Sequence, residues 1–121
     1  MTIVASSTCT TLAQAGQNRG WKMGLVKTGS AVTGSMQGWT DPATVFSQTN
    51  LTGSATGSAL SLTGWIYDTV VGCGTSLCYQ AEGTITATQS GYVINGTLNG
   101  VLTYEFTTCR ASDHKVTFTR Q

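Results

Sequence analysis

Three stretches of the chain share one pattern: Val32-Thr33-Gly34, Leu62-Thr63-Gly64 and Ile94-Asn95-Gly96 each set an aliphatic residue, a Thr or Asn and a glycine just after a small-residue turn. They recur about every thirty residues, roughly one hairpin plus its connection. That spacing predicts sequential antiparallel strands. Thr, Ser and Gly dominate the composition and Pro occurs once, a mixture that suits twisted strands and tight turns better than helices.

Alternation of apolar and polar residues marks about eight strands, near residues 20–28, 31–39, 49–56, 58–67, 77–88, 91–98, 101–108 and 114–121. Asn99-Gly100 reads as a two-residue type I′ hairpin turn, because both of its central positions need positive φ. The segment 39–49 around Asp41-Pro42 reads as a long loop, and residues 1–19 lack a period-2 pattern and read as an irregular or short helical lead segment. The inner phase collects Trp21, Met23, Leu25, Val32, Met36, Leu60, Leu62, Ile66, Ile85, Tyr92, Ile94, Leu98, Leu102, Tyr104, Phe106, Val116 and Phe118. Gly34, Gly64 and Gly96 share it, while Thr33, Ser61, Thr63, Thr84, Thr86, Thr97 and Thr117 fall on the outer phase. The expected fold is all-β: an up-and-down antiparallel meander over 20–121 that closes into a small barrel, with an antiparallel β-sandwich as the alternative.

A length of 121 residues fits one domain with its own core. Only 9% of residues are charged and the net charge is +1, so the electrostatic footprint of a nucleic-acid or anionic-membrane binder is missing. Cys9, Cys73, Cys78 and Cys109 form an even set, which points to an oxidising compartment. Of the three possible connectivities, the short separation favours Cys73 with Cys78, leaving Cys9 with Cys109. The second bond would narrow the unfolded ensemble by about 3–5 kcal/mol. A zinc site is disfavoured, since the cysteine pair is not a C-x-x-C knuckle and the chain has one histidine. Met1-Thr2-Ile3-Val4-Ala5 lacks the cationic and apolar regions of a signal peptide, and no apolar run reaches the length of a membrane span. A mature domain that is secreted, periplasmic or at the cell surface is expected. Asn50-Leu51-Thr52 and Asn95-Gly96-Thr97 fit the glycosylation acceptor pattern, which carries weight only for a eukaryotic source.

The order Trp21, Leu25, Thr28-Gly29-Ser30, Val32, Gly34, then Thr52-Gly53-Ser54, Leu60-Ser61-Leu62-Thr63, Gly83-Thr84-Ile85-Thr86, Ile94-Asn95-Gly96-Thr97 and Phe118-Thr119-Arg120 resembles the lipocalin-like barrels of secreted bacterial proteins. The resemblance spans 20–121 and implies a calycin-type barrel in which a first-strand Trp packs beneath a last-strand Arg. Trp21 and Arg120 match those positions, although Gly20-Trp21 stands without the usual spacer residue. It also implies roles as varied as ligand carriage and protease inhibition, so fold does not settle function. Avidin-like barrels hold biotin with several lumen tryptophans, whereas the inner phase here offers Trp21 alone, and biotin binding is not expected.

No catalytic constellation emerges. His114, between Asp113 and Lys115, reads as a solvated turn residue, and Asp41, Asp68, Glu82, Glu105 and Asp113 form no carboxylate pair. An enzyme, a cofactor and a metal are therefore not expected. Trp39, Trp65 and Tyr67 fall on the outer phase, where large aromatics either cover a satellite core or recognise a sugar or a protein. The interior is expected to be packed solid, with a small apolar pocket as the alternative. The leading expectation is a non-catalytic extracellular or envelope binding module for a small hydrophobic ligand, glycan or protein. The alternatives are a subunit of a surface layer or filament that self-assembles through residues 1–19, and a protease inhibitor using the same segment.

Overall fold

The computed structural model describes residues 1–10, 18–39, 44–70, 79–104 and 107–119, and among them there is no helix. Its elements are β1 (Thr2–Val4), β2 (Asn18–Thr28), β3 (Ala31–Trp39), β4 (Thr44–Thr56), β5 (Ala59–Val70), β6 (Tyr79–Ser90), β7 (Val93–Tyr104) and β8 (Thr107–Thr119). Each strand pairs antiparallel with its successor, and β1 also pairs with β8, placing Ile3 between Arg19 and Val116. The meander thus closes into a barrel, which removes the sandwich alternative. Closure is thin, because β1 contributes only 3 residues. The β3–β4 ladder runs from Ala31↔Ser54 to Gly34↔Leu51 and stops there among the described residues, so the wall is continuous near one end and splayed toward the other.

Several strand limits differ from the sequence reading. Asn99-Gly100 is not a turn: β7 continues through it, with Asn99 opposite Thr84 and Gly100 opposite both Gly83 and Ala111. A Cβ at Gly100 would overlap the Glu82 carbonyl oxygen, so this glycine serves close approach of strands rather than chain reversal. Two-sided ladder pairing overrides the local turn preference. The expected strands 91–98 and 101–108 therefore merge, and the count of eight is restored by Thr2–Val4, inside a segment read as irregular. Residues 44–49 belong to β4 instead of a loop. Tyr92, placed inside by phase, sits in the β6–β7 turn and is 76% exposed.

Ladder register stacks the interior in rows. One row runs Ala55, Leu60, Ala87, Gly96, Val116 and Ile3, and the next runs Gly53, Leu62, Ile85, Leu98 and His114. Below these lie Leu51, Gly64, Gly83, Gly100 and Ala111, followed by Thr49, Ile66, Ala81, Leu102 and Cys109. Leu62, Ile66, Ile85, Leu98 and Val116 are all buried, so this part of the barrel is filled by side chains. The row of glycines lets the sheet coil tightly enough for its large neighbours to meet across the axis.

Beyond β1 the chain turns back over the splayed end, where Cys9 is buried and disulfide-bonded to Cys109 across a sequence separation of 100. The pairing expected for these two cysteines is present; Cys73 and Cys78 lie outside the described residues. Replacing Cys9 and Cys109 together by serine is expected to cost about 3–5 kcal/mol through the freed unfolded chain. Urea unfolding of the double variant and of the parent measures it, with each slope fitted separately because the chain without the cross-link exposes more surface when unfolded.

Candidate functional site

Two constellations carry polar or aromatic chemistry. The first is inside. His114 is fully buried, and its Nδ1 accepts a hydrogen bond from the Ser6 backbone N–H at 3.0 Å. Nε2 lies 3.2 Å from the Gly100 carbonyl oxygen. Because Nδ1 accepts, the proton sits on Nε2 and is donated to that carbonyl. Ser6 Oγ donates to Asp113 Oδ1 at 2.6 Å, and the Cys9 N–H donates to the Ser6 carbonyl at 3.0 Å. Burial lowers the His114 pKa, partly offset by the Gly100 hydrogen bond, the Asp113 charge and a Cys109 backbone hydrogen bond.

Serine, histidine and aspartate are the residue types of a hydrolase relay, but the hydrogen bonds run elsewhere. The Ser6 hydroxyl bonds the carboxylate instead of the imidazole, and the imidazole bonds backbone atoms and has no solvent contact. This arrangement fastens the chain around Ser6 to β8.

The sequence reading of His114 as a solvated turn residue is corrected here. Its phase matches Val116 and Phe118, and that signal was available; charged Asp113 and Lys115 on either side masked it. What the sequence did not show is a bulge. Leu98 pairs with His114 and Gly100 with Ala111, so Ser112 and Asp113 face Asn99 alone, and the inward phase of β8 shifts across them.

The second constellation is outside. On β5, Trp65 and Tyr67 flank buried Ile66 and point outward, and their rings stack with centroids 4.3 Å apart and planes 16° apart. Both are half-buried. Register sets Asn50 and Glu82 beside Trp65 and Gln80 beside Tyr67, while Thr63 and Thr84 continue the surface with hydroxyl oxygens 3.1 Å apart. The Thr49 hydroxyl donates to the Trp65 carbonyl at 2.9 Å, tying β4 to the strand that carries the pair. Mutual stacking restricts both rings, so the ridge is pre-organised.

Trp39 is not brought to this ridge. It lies on β3, separated from β5 by β4, and pairs with Trp21 beyond an irregularity that leaves Gln37 without a partner on β2. Arg120 lies outside the described residues, as therefore does the expected Trp21–Arg120 stacking.

Among the described residues no group of His, Cys, Asp and Glu could hold a metal ion, and no helix is long and apolar enough to cross a membrane. Comparison with known proteins finds no family model, no curated protein and no solved structure that matches this chain.

Proposed function

We propose that this protein is a non-catalytic binding module of the cell exterior that recognises a glycan through the Trp65–Tyr67 ridge. The observation that carries this reading is the stacked, half-buried pair on an otherwise polar sheet face. A sugar ring presents apolar C–H faces to an aromatic plane and hydroxyls to its surroundings. The outer plane of each ring serves the first, and Asn50, Gln80 and Glu82 supply donors and acceptors for the second. The Cys9–Cys109 bond fits an oxidising compartment.

The assembly and inhibitor readings have less support. Both need a lead segment able to leave its own barrel. Thr2–Val4 already has both edges paired, and Ser6 and Cys9 are anchored to β8. A broad glycan array probed with the oxidised protein is the test. Trp65→Ala is expected to weaken the selected glycan at least about 10-fold, as loss of a central aromatic anchor does, with an unchanged far-UV spectrum. An array without a hit, or a Trp65→Ala variant of undiminished affinity, removes the proposal.

A further inference from the structure

The opposite end of the barrel, where the chain reverses at Gly29, Gly57 and Gly91, holds a different feature. There the packed interior stops short and leaves a half-open cavity of about 130 Å³. Leu25, Val32, Leu60 and Ile94 form its floor, and Lys27 and Gln89 stand among its lining. We propose that this cavity binds a small organic anion: an apolar body about the size of a benzene ring carrying one carboxylate.

Size and lining set the body. An apolar cavity of about 150 Å³ takes up benzene, and Leu25 and Ile94 remain only half-buried although they pack against the core. The apolar floor is therefore open to an occupant. The rim is pre-organised, since the Ala55 N–H donates to the Ser30 carbonyl and the Gln89 N–H to the Ser58 carbonyl, each at 2.8 Å. These bonds tie the β2–β3 turn to β4 and the β4–β5 turn to β6. Gln89 Nε2 donates to the Gly91 carbonyl at 3.2 Å, which holds that side chain back over its own turn.

Charge sets the head group. Lys27 follows Met23 and Leu25 in the inward phase of β2, lines the cavity and is exposed, the situation in which a lysine stem covers apolar wall and its ammonium stays in water. No carboxylate pairs with it among the described residues. All five acidic residues of the chain, Asp41, Asp68, Glu82, Glu105 and Asp113, fall outside the segments 25–32, 55–60 and 89–94 that bound the cavity. The mouth thus offers one cation beside an apolar floor and no competing anion from those segments, which complements a monocarboxylate and disfavours an amine.

Methyl-resolved NMR titration of the whole oxidised protein with benzoate, benzyl alcohol and benzylammonium tests this. Benzoate is expected to shift the methyls of Leu25, Val32, Leu60 and Ile94 saturably, with benzylammonium at least about 10-fold weaker. Lys27 is exposed, so Lys27→Met leaves the fold intact. It should weaken benzoate about 5-fold, as for an exposed ion pair, and leave benzyl alcohol unchanged. Benzoate shifts that never saturate, or equal benzoate affinity in Lys27→Met, would overturn the proposal. So would protein-concentration-dependent shifts of the same methyls without ligand, which would mark the surface as a contact between copies.

Discussion

Gly64→Ala is expected to destabilise the barrel by more than about 5 kcal/mol, enough to leave a domain of ordinary stability unfolded. Gly64 sits at φ +149 in the middle of β5, and a Cβ there would overlap the carbonyl oxygen of Asn50 on β4. Backbone is what it would strike, so no rotamer change relieves the clash. Across the ladder Gly83 repeats the situation against Asn99 of β7, so β5 and β6 cannot step aside together. Gly29→Ala is the matched control. Its φ is +63 but nothing lies within 4 Å of the added atom, so it should cost only about 1 kcal/mol for the left-handed conformation. Urea unfolding of both variants compares a positive-φ glycine that faces backbone with one that faces open space, and a Gly64→Ala protein within about 1 kcal/mol of the parent would contradict the packing described.

His114→Ala is expected to cost about 3–5 kcal/mol. It leaves the Ser6 N–H and the Gly100 carbonyl without their partner and opens a cavity at a fully buried site. The same histidine sets an acid limit. Its pKa in the folded protein lies below the ordinary histidine value of 6.5 because burial disfavours the charged ring. The unfolded chain therefore takes up a proton that the folded chain resists. Its contribution is complete above about pH 6.5 and declines as pH falls through that value toward the lower folded pKa, by up to about 1.4 kcal/mol per pH unit. Burial also lowers the Met1 amino group from its ordinary value near 8 toward this window, so the comparison with His114→Ala is what isolates the ring, the chain having no second histidine. The difference in unfolding free energy between parent and His114→Ala, followed from pH 7.5 to 5.5, should shrink toward acid. The protection factor of the Ser6 amide, its exchange rate taken relative to the intrinsic rate at each pH, should fall in the parent over the same range. A pH-independent difference would mean that the ring is not held neutral.

Much of the architecture was legible from alternation. Val32, Leu60, Leu62, Ile66, Ile85, Leu98, Leu102, Val116 and Phe118 all lie inside as their phase required, because one face of a closed sheet must be apolar. Trp65 and Tyr67 were found the same way, being out of step with Ile66. Bulges defeat such reading, since each inserts one residue and shifts the phase beyond it without a compositional mark. That is how the first half of β8 went astray. Asn99-Gly100 failed for a related reason: its turn preference, of order 1 kcal/mol, competes with hydrogen bonds and packing on both sides of a central strand.

Alternation along the chain suffices for a meander of antiparallel strands with one apolar and one Thr-rich face, because period-2 patterning is a local property and needs no knowledge of partners. Long-range packing sets how the sheet closes, brings Ser6 to His114 from 108 positions away, and leaves the apolar end beside Lys27 open. Those outcomes depend on register and on the space left between distant strands. The repeated glycines show the division most clearly: their recurrence announced hairpins, but their necessity lies in the backbone of the neighbouring strand.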